Sequence, residues 1–287
     1  MTMSVDARTG MIRTVVGSGE AGWSGDGGAA VAACLNEPKA VALDHDGNLL
    51  IADSENHVIR KVDRRSGLIT TVAGCTSSHD SPLTVMNRAA VPATDDPLSE
   101  GSSSAEAAFV QQSDLSGTVR YVVNGAGSTK RFGGDGGLAL DALLNFPTAI
   151  AADAEGDLYI ADTFNGRIRA VDPATGIIET VVGDGGEYRY QGEMEASSSS
   201  LSRPSGIAVD LEGNVFMTDS DNHLVRRWDR VAGRIDRVAG TGSANYGGDG
   251  KTPLEASLNY PFGIVMDQEN QLFVADTFNH RIRQIVL

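Results

Sequence analysis

Two cysteines, Cys34 and Cys75, are all that 287 residues carry. That count excludes a disulfide framework or a multi-cysteine metal site, and free buried thiols are expected. Basic residues are scarce too. Lys and Arg number 23 against 38 Asp and Glu, for a formal net charge of −15. Phosphate backbones are bound by clustered Lys and Arg, so nucleic acid is excluded as a partner. No run of 18 apolar residues occurs, so no membrane-spanning helix is expected. The opening residues, MTMSVDARTG, lack the apolar stretch of a secretory leader. The expected location is cytoplasmic, or that of an exported domain without its signal. Catalytic signatures are missing as well: no Gly-x-Ser-x-Gly, no phosphate-binding Gly-Lys-Ser/Thr loop and no His-Glu-x-x-His. DSDNHLVRRWDR has neither the Gly at position 6 nor the Glu at position 12 of an EF-hand loop.

Glycine is plentiful (34), and the chain repeats itself. IADSEN, IADTFN, MTDSDN and VADTFN align on Asp53, Asp162, Asp219 and Asp276, spaced 109, 57 and 57 residues apart. The first gap is nearly two periods, so an eroded repeat is expected at 86–125. Each clear copy reads as four short strands, a to d. In the third they are TAIAAD, LYIAD, RIRAVD and IIETVVG. These are β-branched runs bounded by Gly, Asn and Asp. The a–b turns (DHDGN, DAEGD, DLEGN, DQENQ) and c–d turns (DRRSG, DPATG, DRVAG) suit tight hairpins. In strand c, Ile59, Ile168, Val225 and Ile282 fall on one face and Arg60, Arg169, Arg226 and Arg283 on the other.

A repeated four-stranded antiparallel sheet predicts an all-β fold, a β-propeller. Five blades are expected, near 36–74, 86–125 (degenerate), 145–183, 202–240 and 259–287 plus 4–17, in one domain over 1–287. SVDARTGMIRTVVG matches KVDRRSGLITTVAG. Residues 10–17 are therefore expected to close the last blade beside the strand that ends at Leu287.

The sequence resembles the NHL-repeat propellers. Asn222-His223-Leu224 spells the family tripeptide, and NHVIR, NGRIR and NHRIR are variants of it. The glycine-rich GDGG connector is similar to that of bacterial members. The resemblance implies the fold but no single activity. The family includes protein-interaction platforms, RNA-binding domains, extracellular sensor domains and a few lyase-type enzymes. Many members have six blades, where the spacing here gives five.

Candidate site residues lie in the d–a connectors, at the same end as the b–c turns. Those connectors repeat an aromatic-Gly-Asp pattern: Trp23 with Asp26, Phe132 with Asp135, Tyr246 with Asp249, and the shifted Tyr190 with Glu193. A ring of aromatic and acidic groups around the mouth would take a cation, an amine or a sugar. The structural alternative is that each Asp caps the short helix after it. Recurrence in successive blades favours the alternative. Asp53 and Arg60, with their copies seven apart, read as a structural ion-pair and turn-capping set. His57, His223 and His280 share one repeated place and lie too far apart for one metal.

Asymmetry marks two further stretches, 75–109 and 183–200. The second supplies Tyr188, Arg189 and Tyr190 as ligand-binding candidates. His79, Asp80, Glu193 and Glu195 are the nominees for catalysis. The favoured function is a ligand- or protein-binding module, monomeric, engaging a cationic small molecule or a basic protein surface. The alternative is a lyase, hydrolase or isomerase with a divalent cation such as calcium at the mouth. The inner strands, with Ala40, Ala149, Gly206 and Gly263, predict a narrow, unreactive channel.

Overall fold

The computed structural model describes residues 2–5, 9–75, 120–124, 128–186, 192 and 194–287, with backbone alone at 2–5, 120–124 and 128–130. Strands β1 (Thr2–Val5) and β2 (Ile12–Val16) form a hairpin. Blade I follows: β3 (Pro38–Leu43), β4 (Leu49–Asp53), β5 (Val58–Val62) and β6 (Ile69–Ala73). A second hairpin joins β7 (Arg120–Asn124) to β8 (Ser128–Phe132). Blade II has a short entering strand, β9 (Gly137–Leu138), then β10 (Pro147–Ala152), β11 (Leu158–Asp162), β12 (Arg167–Val171) and β13 (Ile177–Val182). Blade III is built likewise from β14 (Met194–Glu195), β15 (Pro204–Val209), β16 (Val215–Asp219), β17 (Leu224–Asp229) and β18 (Arg234–Ala239). Blade IV has three strands: β19 (Pro261–Met266), β20 (Gln271–Asp276) and β21 (Arg281–Val286). The fold is an all-β propeller, with four blades among the described residues.

Turn chemistry explains the regularity. Asp44, Asp153, Asp210 and Asp267 open the a–b turns, and each carboxylate accepts the backbone N–H four residues on, at 2.8–2.9 Å. Each b–c turn is one turn of 3₁₀ helix ending in a left-handed residue: His57, Gly166, His223 or His280. The core lies between blades. Leu50, Ala52 and Ile59 of blade I pack with Leu144, Ile150 and Ile160 of blade II. Two similar clusters join blades II and III, and III and IV. Strand-c Ile59, Ile168 and Val225 are fully buried there, each worth about 1.5–3 kcal/mol in transfer free energy.

Two expectations need correcting. Blade I packs directly on blade II, so no eroded blade stands between them. The long first gap thus separates two blades that are neighbours; residues 76–119 of it lie outside the described residues. The N–H of the Gly that ends each outer strand bonds a carbonyl in the next connector: Gly17 to Ala30, Gly183 to Ala196 and Gly240 to Pro253, always thirteen residues on. Gly74 makes the same bond, but to Ala139, sixty-five residues on. The extra length happens to approach one repeat, which is why spacing alone read it as a blade. The second correction concerns closure. Strand β2 keeps the outer-strand bond to the following connector through Gly17, but it pairs with β1 and does not close the last blade beside β21. Among the described residues, nothing pairs with the outer edge of β21.

Candidate functional site

Three of the four strand-c arginines are each held by two carboxylates. Arg60 meets Asp26 at 2.7 Å and Asp53 at 3.5 Å. Arg169 meets Asp135 at 2.6 Å and Asp162 at 3.4 Å, and Arg283 meets Asp249 at 2.6 Å and Asp276 at 3.2 Å. Arg226 keeps Asp219 (3.4 Å) and bonds the carbonyls of Ser200 and Gly192. The connector aromatics cover the same cations. Trp23 lies 5.9 Å from Arg60, Phe132 4.9 Å from Arg169 and 4.0 Å from Arg167, and Tyr246 5.3 Å from Arg283 and 3.9 Å from Arg281. The aromatic-Gly-Asp motif thus meets a cation by cation–π and carboxylate contacts, and that cation is the protein's own arginine. Nor does the Asp cap a helix: the turns at Ala30–Ala32 and Ala139–Asp141 have no side-chain cap. These clusters sit against strands c and d, the outer half of each blade, away from the channel.

The inner aspartates do a second job. Asp53, Asp162, Asp219 and Asp276 each accept the backbone N–H of Asn36, Asn145, Ser202 or Asn259 at 2.7 Å. The next residue is turned left-handed and then meets a proline: Glu37 (φ 48°), Phe146 (55°), Arg203 (54°) and Tyr260 (49°). The strained backbone recurs, while the side chain differs in every blade. Burial pushes the carboxyl of Asp162 up to about 6 against the pull of Arg169. It also pushes His57 down to about 4, with Arg131 adding repulsion. That keeps the His57 ring neutral, and its Nδ1 accepts the Phe146 N–H at 3.0 Å.

Two of those left-handed residues, Phe146 and Arg203, line the central channel, a cavity of about 420 Å³ between β3, β10, β15 and β19. Ala40, Ala149, Gly206 and Gly263 line it, as the sequence predicted. Its rim alternates in chemistry. Blade II offers the stacked rings of Phe146 and Phe164, centroids 4.9 Å apart. Blade IV offers Phe262, backed by Phe278 with ring centroids 6.5 Å apart, and Phe278 in turn lies 4.8 Å from Tyr260. Blade I carries Lys39, paired with Glu37 at 2.7 Å and 5.6 Å from the Phe146 ring. Blade III carries Arg203, 3.6 Å from Asp221. Deeper in, the Thr148 and Thr163 hydroxyls bond each other at 2.6 Å. Among the described residues, no carboxylate, imidazole or thiol lines the cavity.

A profile of the Teneurin NHL domain matches residues 13–93 and 122–193, and one of the NHL repeat matches 258–285. The chain belongs to the NHL-repeat family. It is 30% identical over 280 residues to the chloroplastic protein SUPPRESSOR OF QUENCHING 1 of Arabidopsis thaliana, covering 89% of this chain and 25% of that one. It is 25% identical over 286 residues to NHL repeat-containing protein 2 of Bos taurus, covering 88% and 39%. The chain therefore spans from a quarter to two-fifths of the length of these relatives. Among solved structures it resembles a Bacteroides thetaiotaomicron protein of unknown function (TM-score 0.54, 20% identity, 86% of this chain and 46% of that one). It also resembles an auxiliary nutrient binding protein of Bacteroides ovatus (TM-score 0.51, 16% identity, 88% and 49%). At these identities the likeness is one of fold.

Of the ligand candidates read from the sequence, this NHL propeller brings together Trp23, Asp26, Phe132, Asp135, Tyr246 and Asp249 only in pairs within their own blades. Glu195 lies on β14, exposed beside Arg234. His79, Asp80, Tyr188, Arg189, Tyr190 and Glu193 lie outside the described residues. Among the described residues, no three His, Cys, Asp or Glu converge as a metal set. Of the carboxylates proposed for a cation, Asp26, Asp135 and Asp249 are each engaged by an arginine. Sequence reading missed Lys39, Phe146, Phe164, Arg203, Phe262 and Phe278. Their signal was present in NEP, NFP, SRP and NYP: a repeated frame whose middle residue changes from blade to blade.

Proposed function

We propose that this NHL propeller is a binding module whose ligand enters the channel mouth, with a flat apolar group between the two aromatic blades and negative charge toward Lys39 and Arg203. The alternating rim carries this reading: aromatic rings on blades II and IV, basic heads on I and III, around one cavity. Stacking on aromatic faces and charge-assisted bonds to basic groups are what such a rim supplies. A cationic ligand was expected from the connector carboxylates; Asp26, Asp135 and Asp249 bond arginines instead. The lining argues for the opposite sign, because the carboxylates of Glu37 and Asp221 are not part of it. Binding fits this lining better than catalysis, for the mouth offers hydroxyls already bonded to each other and no general base.

A suitable probe is 1-anilinonaphthalene-8-sulfonate, an aromatic anion followed by its fluorescence. Phe164→Ala and Arg203→Ala should each weaken binding about tenfold, about 1.4 kcal/mol. Ile282→Asp, remote from the mouth, should leave it unchanged. Equal binding by the parent and both mouth variants would refute the reading.

A further inference from the structure

The arc of blades ends in two unmatched faces that fit each other. In blades I to III the outer strand buries one isoleucine completely: Ile69, Ile178 and Ile235. Ile178 packs in a cluster with Ala73, Ala139, Ala142 and Leu144. Blade IV has no outer strand. The matching residues Ala239, Pro253, Ala256 and Leu258, with Ile285, line an open cavity of about 220 Å³. The N–H groups of Gly27 and Gly136 bond the carbonyls of Ile69 and Ile178. Gly250, in the same place, has no such partner among the described residues. Ile282 is 71% exposed, where its copies Ile59, Ile168 and Val225 are wholly buried against the next blade.

Ring links tell the same story. Ser54, Thr163 and Ser220 each donate a hydroxyl to the proline carbonyl that starts the next blade, Pro147, Pro204 and Pro261, at 2.5–2.8 Å. His57 and His223 accept the N–H of Phe146 and Tyr260. Thr277 and His280 on blade IV make neither link among the described residues.

At the other end the complements stand idle. Ile12, equivalent to Ile69, is 60% exposed, and Val41, equivalent to the buried Ile150 and Ile207, is 54% exposed. Among the described residues, no blade stands before Glu37 and Pro38. Strand β2 is also in the right register. It pairs Thr2 with Val16 and Met3 with Thr14 across a bulge. Strands c and d pair the same way in blade II, Ile168 with Val182 and Arg169 with Thr180. Strand β1 thus holds the place that β21 would take, with Ile282 opposite Val16 and Gln284 opposite Arg13.

We propose that a second copy of this chain covers these faces, head to tail. Its β2 leaves β1 and becomes the outer strand of blade IV, and its blade I seats on Ile282 and Val265. A second copy fits better than self-closure. Strand β2 is tied to blade I through Gly17 and Ser18, which bond Ala30 and Ala33. Closing the ring within one chain would carry blade I across the opening and repack three close-packed inter-blade cores. Docking another copy repacks none of them. Head-to-tail contacts close into rings when the rotation allows, so the assembly is a small ring, against the monomer expected from sequence.

The test uses the full chain. Light scattering of the unmodified protein should show mass rising with concentration to at least twice the monomer, and Ile12→Asp should hold it at monomer mass. Arg13→Cys and Gln284→Cys are then placed on separate chains that both carry Cys34→Ser and Cys75→Ser. Mixed and oxidised, they should give a disulfide-linked pair containing one of each, since directly opposed strand residues come within disulfide reach. A doubly substituted chain, Arg13→Cys with Gln284→Cys, that oxidises internally at monomer mass would overturn the proposal in favour of self-closure. Monomer mass at every concentration would overturn it outright.

Discussion

Replacing Asp162 by alanine tests how the propeller is held together. The carboxylate is wholly buried. Its Oδ1 accepts the Asn145 N–H at 2.7 Å, and its Oδ2 accepts Asn165 Nδ2 at 2.8 Å and Arg169 Nη1 at 3.4 Å. Asp162→Ala leaves all three donors without this acceptor, one of them a buried cation. An orphaned buried donor costs about 1–3 kcal/mol, and a charged one more. Two terms reduce the loss. Asp135 still holds Arg169 at 2.6 Å, and burial already penalises the Asp162 charge, as its raised pKa of about 6 records. The expected net loss is about 3–5 kcal/mol, a large share of a typical total of about 5–15 kcal/mol. Urea unfolding followed by far-ultraviolet circular dichroism at pH 7.5 measures it. Asp162→Ala with Arg169→Leu should recover about 1–2 kcal/mol, because the uncompensated cation is gone. A single-variant loss below about 1 kcal/mol, or no coupling in the double variant, would refute the argument.

Three other outcomes are expected. His57 titrates near 4 in the fold against 6.5 free, so the unfolded chain takes the proton first; its contribution is full above pH 6.5 and lost as pH falls to about 4. The stability of the parent relative to His57→Gly should therefore fall by on the order of 1–2 kcal/mol as the pH drops from 6.5 to about 4, discounted because the ring is partly solvated, and a flat difference in urea titrations would count against it. The triple variant Asp26→Asn, Asp135→Asn, Asp249→Asn should lose about 1 kcal/mol for each of the half-buried Asp26 and Asp135, with the exposed Asp249 adding little, and bind the fluorescent anion as before; altered binding at unchanged stability would return those carboxylates to the mouth. Gly206→Ala would set a Cβ 2.3 Å from the Phe262 carbonyl oxygen, so a loss of about 2–3 kcal/mol in thermal or urea unfolding is expected, and parental stability would mean that blades III and IV pack less tightly than described.

Most of the architecture was legible because it rests on period-two patterning and turn chemistry, both local. The strands around Asp53, Asp162, Asp219 and Asp276 fall where the repeat puts them, and the Asp–Arg pairs seven apart are the buried ion pairs that spacing suggested. Two things are not local. The stretch between Gly74 and Ala139 equals an ordinary connector plus nearly one period, so arithmetic could not tell that blade I is bonded directly to the connector of blade II; the bond between those two residues shows it. Strand pairing is a second case. Residues 12–16 have the sequence of an outer strand, but which edge they join depends on where blades I and IV lie in space. The connector aromatics and aspartates were misplaced for a similar reason. Sequence put them at the correct end of the blade, but their radial position follows from Arg60, Arg169 and Arg283 drawing them to the outer half.

A repeat protein separates structural from functional positions by what each must satisfy. Asp53 and its copies bond a backbone N–H, an asparagine amide and an arginine, so no other side chain serves there and identity recurs. The left-handed residue before each proline is different. Its backbone is fixed by the aspartate behind it and the proline ahead, at a strain of roughly 1–2 kcal/mol for a non-glycine residue, while its side chain meets no repeated partner. Glutamate, phenylalanine, arginine and tyrosine all occupy that frame. Glycine would relieve the strain in every blade and appears in none, so the side chains at Glu37, Phe146, Arg203 and Tyr260 are retained against a backbone cost. At Phe146 and Arg203 that cost is understandable if the side chains are what the propeller presents at its mouth, rigid anchors with chemistry free to vary, and Glu37 serves the same rim by holding Lys39.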